Sequence, residues 1–194
     1  MHHRLFDVSL AHRLDDPARF LWLPPDEVIA ALGVQPGDVI ADVGAGTGYF
    51  TVPLARVIGP RSRLLAVDVQ AEMLSLLKQK IDAADLPNVE LIHAAADRTG
   101  LPNDACALVF LANVWHEFDD RKAVLRESMR ILTPGGRVAI LDWRTDVAPA
   151  GGPPLAHRIK PSEALQEMQL AGLETRASTE VGRYSWLVQG KKLQ

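Results

Sequence analysis

The chain has 194 residues, 47% hydrophobic and 23% charged, the balance of a globular protein with enough length for one sizeable core. Its one cysteine, Cys106, excludes an intramolecular disulfide and any multi-cysteine metal or cluster site. The net charge of −3, from 21 Lys and Arg against 24 Asp and Glu, comes with no basic run longer than Lys191-Lys192, which argues against nucleic acid as the main partner.

The first 25 residues are polar and aromatic by turns and end in Pro24-Pro25, so they read as a segment added ahead of the main fold. They hold no apolar stretch of signal-peptide length, and Asp7, Asp15 and Asp16 argue against a transit peptide. No apolar stretch approaches the roughly 18 residues of a spanning helix. The expectation is a cytoplasmic protein with no membrane or nucleic-acid partner. Its oligomeric state is not readable.

Asp26 is placed to cap a short helix that Gly33 stops, and Pro36-Gly37 is a turn. An apolar run, Val39 to Val43, leads into a glycine-rich loop and a helix over Tyr49–Ile58. Arg63–Val67 reads as a second strand. Ala71–Ala84 reads as a helix with Met73, Leu74, Leu77 and Ile81 on one stripe. Val89–His93 and Ala107–Ala112 are the third and fourth strands. A helix follows over Asp120–Leu132, and Gly135-Gly136 turns the chain into a fifth strand, Val138–Leu141. The pattern dissolves into Gly and Pro between 144 and 160. A last helix, Ser162–Ala171, precedes a hairpin of Leu173–Val181 and Tyr184–Gly190 joined at Gly182-Arg183. Strands alternating with helices imply an α/β fold, a parallel sheet covered on both faces. No repeat or linker divides the chain, so residues 1–194 are expected to form one domain.

The stretch Asp42-Val-Gly44-Ala-Gly46-Thr-Gly48 has G-x-G-x-G spacing, unlike the G-x-G-x-x-G of a dinucleotide site. Alternate glycines let a ligand lie on backbone, and the helix beyond offers unpaired N–H groups. Asp42 beside this loop is a poor neighbour for pyrophosphate and a good one for an ammonium or sulfonium charge. Asp68 ends the second strand, where an acid accepts both hydroxyls of a ribose. Asp97, after the third strand, is placed to accept an exocyclic amine of adenine. The three acids share the carboxyl ends of successive strands, where open α/β sheets bind ligands.

ADVGAGTG, VDVQAEML, AAADRTGLP, LVFLANVWHEF and RILTPGGRVAILDW, in that order over roughly residues 36–145, resemble the class I S-adenosylmethionine-dependent methyltransferases. The similarity is greatest to the small-molecule branch that includes the ubiquinone/menaquinone-biosynthesis C-methyltransferases. The resemblance implies a Rossmann-like, seven-stranded, mostly parallel sheet with a terminal antiparallel hairpin, and S-adenosyl-L-methionine as cofactor. It assigns Asp42, Gly44, Gly46 and Gly48 to the methionine portion, Asp68 to the ribose and Asp97 to the adenine amine, with backbone contacts from Ala96 or Arg98, and counts Val69 among the cofactor-binding residues. Asn113 falls where cofactor site and acceptor site meet. One departure is Cys106-Ala107-Leu108-Val109, where many relatives have Phe-Asp-Leu-Val; the missing acid reads as a strand-entry change.

Methyl transfer needs an aligned nucleophile, exclusion of water and, for some acceptors, a base. His116 is the candidate base, with a histidine bonded to the following helix as the alternative. Glu117 reads as a helix-entry charge. Residues 1–25 read as lid-like and 144–160 as an acceptor-side loop. Arg13, His157 and Arg158 are candidates for the acceptor, the arginines as clamps for an anionic group. Trp115, Trp143 and Trp22 are candidates for an apolar wall, or else for core packing. His12, His116 and His157 show no ligand spacing, so no metal site is expected. The lone cysteine counts against an arsenite-type enzyme. The alternatives to small-molecule methyl transfer are a nucleic-acid methyltransferase and a non-catalytic cofactor-binding protein.

Overall fold

The computed structural model describes residues 6–147 and 152–193. Five parallel strands run β1 (Ile40–Val43), β2 (Leu64–Asp68), β3 (Val89–His93), β4 (Cys106–Ala112) and β5 (Leu132–Trp143). Three antiparallel strands follow, β6 (Leu173–Thr175), β7 (Thr179–Val181) and β8 (Ser185–Lys192). The sheet order is β3-β2-β1-β4-β5-β8-β6, with β7 also on β8. The helices are α1 (Arg19–Trp22), α2 (Pro25–Leu32), α3 (Thr51–Ile58), α4 (Ala71–Ala83), α5 (Arg121–Ile131) and α6 (Pro161–Leu170). A 3-10 helix over Val8–Asp15 precedes them. No helix among the described residues is long and apolar enough to cross a membrane.

The central strands are apolar at consecutive positions because both sheet faces are covered. Ile40, Leu64, Ala66, Leu108 and Phe110 face α2, α3 and α4 in one core cluster. Their neighbours Ala41, Leu65, Val67, Val109 and Leu111 face α5 and α6 in the other. The stripe on α4 is buried as its spacing predicts.

The strand count is eight rather than seven. The outer arm of the hairpin, expected as one strand over 173–181, is interrupted at Arg176–Ser178. Its two pieces pair with opposite ends of β8, at Gly190–Lys192 and Ser185–Leu187. Together they fill one position in the sheet. Two helix starts also differ. The α2 N-cap is Pro24, not Asp26, since Pro25 takes the first helical position. Gly48 turns the chain through Tyr49 and Phe50, which delays α3 to Thr51. The Gly135-Gly136 turn lies within β5, as a bulge where the pairing steps from Cys106–Leu132 to Leu108–Arg137.

Glu127 anchors α5 to the loop beyond β3. Its carboxylate accepts from the Thr99 amide at 2.8 Å, the Thr99 hydroxyl at 2.6 Å, and Arg130 at 2.8 Å. The Arg130 bonds, with those from Thr99, outweigh burial and hold the carboxyl down at about 2. Glu127→Ala is expected to destabilise the protein by about 2–3 kcal/mol at pH 7, read by urea unfolding. Because the folded-state pKa lies below the unfolded one, this contribution is complete above the unfolded value. The difference between wild type and variant should therefore shrink as pH falls from about 4.5 towards 2.

Candidate functional site

Strand order reverses at β1, which has β2 on one side and β4 on the other. The crossovers from β1 and β4 leave in opposite directions there, and a crevice opens at their carboxyl ends. It holds a cavity of about 330 Å³. Asp42, Gly44 and Gly46 line it from the β1 side, and Asp68, Val69 and Gln70 from β2. Ala96 and Asp97 line it from the turn after β3, and Asn113 and Glu117 from the segment after β4.

Several sequence-derived cofactor candidates therefore converge. Asp42 is buried and accepts from the Thr51 hydroxyl at 2.6 Å. Burial, with Asp68 nearby, pushes its carboxyl up to about 6 against the Thr51 bond. Asp68 accepts from the amides of Gly46 at 2.7 Å and Gln70 at 2.9 Å, and burial still raises its carboxyl above the usual range. A cationic group bound in this cavity would favour the charged form of carboxyls that burial makes hard to ionise. Gly44 has φ +79°, and a Cβ there would stand 2.7 Å from Val114. The loop therefore lays bare backbone along the cavity wall while packing close against the segment after β4. Both polar atoms of the Asn113 side chain are buried without a hydrogen-bond partner, and Asn113 itself has φ +57°. A donor and an acceptor left unsatisfied on a cavity wall fit a polar ligand.

Gly48 is different. It does not line the cavity, and a Cβ on it would meet Leu77 of α4 at 2.3 Å. Its φ of +87° and this close approach make it a packing and turn residue.

The acceptor-side candidates do not reach the cavity. Trp115 is fully buried in the core beneath it, its Nε1 donating to Glu167 at 3.2 Å. Trp143 packs against Trp22, ring centroids 5.3 Å apart, with the Arg158 guanidinium 5.5 Å from the centre of the Trp143 ring. Arg158 is spent on the carbonyls of Pro153, Arg144 and Val147, closing its own loop rather than clamping a ligand. Arg13 and His157 are also absent from the wall. Residues 148–151 of the Gly/Pro-rich loop, and 1–5 of the N-terminal segment, lie outside the described residues.

His116 stands behind the wall and Glu117 on it. Trp115–Glu117 is a single 3-10 turn, whose three residues point about 120° apart. Trp115 enters the core, His116 turns to Asp142, and Glu117 meets the cavity. Asp142, buried at the end of β5, accepts from the His116 amide at 2.9 Å and from its Nδ1 at 2.8 Å. A carboxylate only accepts, so Nδ1 carries the proton. Nε2 then lies 3.9 Å from Glu117 Oε1. Burial works to lower the imidazole pKa, but the Asp142 hydrogen bond and charge, with Glu117, hold it above the ordinary value. Burial pushes the Glu117 carboxyl up to about 7.

The N-terminal segment supplies wall residues that the sequence did not single out: Phe6, Leu14 and Arg19. Gln70 Nε2 donates to Phe6 O at 3.1 Å, and the Thr47 hydroxyl to Asp15 at 2.8 Å. Lys80 of α4 pairs with the same Asp15. No local pattern marks these contacts, since they span 32 to 65 residues of sequence.

Residues 40–136 match the methyltransferase domain model, half of the chain. The chain belongs to the class I S-adenosylmethionine-dependent methyltransferase family. Among curated methyltransferases, it is 34% identical over 116 residues to the demethylmenaquinone methyltransferase of Listeria welshimeri, which covers 60% of this chain and 49% of that one. It is 28% identical over 116 residues to the ubiquinone/menaquinone biosynthesis C-methyltransferase UbiE of Vibrio vulnificus, covering 59% and 45%. The chain thus spans about half the length of the curated relatives it matches. A crystal structure of a SAM dependent methyltransferase from Aquifex aeolicus superposes with a TM-score of 0.92 at 29% identity, covering 97% of this chain and all of that one. The family's cofactor is S-adenosyl-L-methionine, and the cavity's paired acids, ligand-accessible glycine backbone and unsatisfied Asn113 fit it. Among the described residues, no three His, Cys, Asp or Glu side chains are grouped to hold a metal.

Gly48→Ala is expected to lower stability by about 1–3 kcal/mol through the strained φ and the Leu77 contact. Thermal or urea unfolding of the unliganded protein measures it.

Proposed function

We propose that this methyltransferase transfers the methyl group of S-adenosylmethionine to a small, apolar or aromatic acceptor, a quinone-like ring being the leading class. The observation that carries the reading is the cavity at the β1/β4 switch point, where Asp42, Asp68, Asp97 and Asn113 meet the glycine loop. Asp68 keeps acceptor capacity for ribose hydroxyls, because its two amide bonds leave lone pairs on both oxygens. In this reading Asp97 and Ala96, on the wall beyond β3, take the adenine, and Asp42 takes the ammonium of the methionine portion. When bound, the cofactor supplies a sulfonium-activated methyl group that leaves with its sulfur becoming a neutral thioether. Phe6, Leu14, Met73, Val114 and Phe118 give the same cavity apolar wall for an acceptor. The named activities of the two curated relatives support the quinone-like class. Six acids on the wall repel a polyanion, which supports a small molecule over nucleic acid. A cytoplasmic location fits such an acceptor and cofactor, and residues 6–25 serve as a cover over the site.

Proton removal falls to Glu117 rather than directly to His116. Glu117 faces the cavity with a carboxyl poised near 7, and takes the proton that the acceptor loses as its new bond to carbon forms. His116, fixed by Asp142, stands as a positioning residue that stabilises the Glu117 carboxylate before proton transfer.

Calorimetric titration with S-adenosylhomocysteine tests the cofactor site. Wild type is expected to bind in the micromolar range, and Asp68→Asn to bind at least tenfold more weakly, about 1.4 kcal/mol. Absence of binding to wild type would overturn the reading. Glu117 is active when deprotonated, so turnover with an accepted quinol should rise with pH through about 7. Glu117→Gln should lose that limb and about 10²-fold or more in kcat while keeping its affinity for S-adenosylhomocysteine. His116→Gln removes a positive neighbour that lowers the Glu117 pKa, so the limb should move to higher pH. An unmoved limb would make His116 structural only.

A further inference from the structure

The cavity wall is electrostatically lopsided. Asp42, Asp68, Asp97, Glu117, Asp119 and Asp120 line it, and the basic residue among the lining residues is Arg19. Arg19 sits at the start of α1, in the segment that precedes the fold, and is only 7% exposed. Its guanidinium lies 3.9 Å from the centre of the Tyr49 ring, with Trp22 and Phe50 each at 5.9 Å. Tyr49 and Phe50 immediately follow the glycine loop, so the cation stands at the loop's far end.

A buried arginine normally spends its five donors on partners. This one donates from Nη1 to Leu14 O at 3.0 Å, Nη2 makes no hydrogen bond among the described residues, and the buried Nε has no partner. It forms no ion pair among the described residues either. Stacking on Tyr49 orients the fork but leaves its charge unanswered. A guanidinium fork matches a carboxylate in a bidentate way, and no other base on this wall could hold one against six acids.

We propose that Arg19 is the carboxylate-binding residue of the cavity. This rests on the reading that the cavity takes S-adenosylmethionine. Two carboxylates could meet it there: that of the cofactor's amino-acid end, or one carried by the methyl acceptor. In either case the N-terminal segment recognises charge as well as covering the site.

The test uses the full chain with Arg19→Gln and Arg19→Lys, titrated with S-adenosylhomocysteine, with 5′-methylthioadenosine, which lacks the amino-acid end, and with benzoate in the presence of saturating S-adenosylhomocysteine. If the cofactor supplies the carboxylate, Arg19→Gln weakens S-adenosylhomocysteine at least tenfold, leaves 5′-methylthioadenosine unchanged, and Arg19→Lys recovers part of the loss. If the acceptor supplies it, both nucleosides bind as in wild type, and benzoate binds the wild-type complex but not the Arg19→Gln complex. Equal weakening of both nucleosides would make Arg19 a structural prop for Tyr49 and overturn the proposal. So would unchanged binding of both nucleosides without Arg19-dependent benzoate binding. Failure of wild type to bind either nucleoside would instead overturn the methyltransferase reading on which the proposal rests.

Discussion

The hydrogen bond from the Gly46 amide to Asp68 joins the two halves of the site. It ties the middle of the glycine loop to the end of β2 at 2.7 Å, while the amides of Gly44 and Ala45 bond to Val67 O next to it. The loop is thereby held as a shelf across the crevice, with the backbone of Gly44 and Gly46 facing ligand space. The same carboxylate caps the turn into α4 through Gln70. Shelf and helix entry are thus set by one side chain, and the position of the N-terminal segment follows, because it docks on the shelf through Thr47 and on the helix entry through Gln70.

The parallel part of the fold was readable because its physics is local. A run such as Leu64-Leu65-Ala66-Val67 is apolar throughout only when both faces are buried, and alternate residues do divide between the two core clusters. The stripe on α4 and the αL cap at Gly33 are equally local signals. What the sequence could not show was the interruption of the hairpin's outer arm. Arg176, Ala177 and Ser178 carry no Gly or Pro to announce it, and the break is set by pairing with β8.

The site divides along the same line. Asp42, Asp68 and Asp97 could be placed at the crevice because each lies at or just beyond the carboxyl end of a strand, and topology fixes where those ends point. His116 and Glu117 could not be assigned between cavity and core from their order alone. A 3-10 turn sends neighbours in three directions, and only the buried Asp142 on β5 shows which one claims His116. For the tryptophans and Arg158 the sequence left an acceptor wall and plain packing both open. Large aromatic and basic residues near a cleft suggest an acceptor wall, yet Trp115 and Trp143 complete the core and Arg158 organises its own loop. Arg19 and Phe6 carry no signal at all, since their meeting with the glycine loop is purely tertiary.

The interrupted outer arm of the hairpin also bears on how copies of the protein meet one another in solution. A sheet margin with a long, straight row of free amides and carbonyls is a template for another chain. Here that margin is offered only in two three-residue pieces, parted at Arg176–Ser178. The far margin, β3, is five residues long and shows Glu90 and His93 to solvent. Neither margin gives a foreign strand a continuous apolar ladder to extend, so the architecture that frames the crevice also discourages edge-to-edge aggregation.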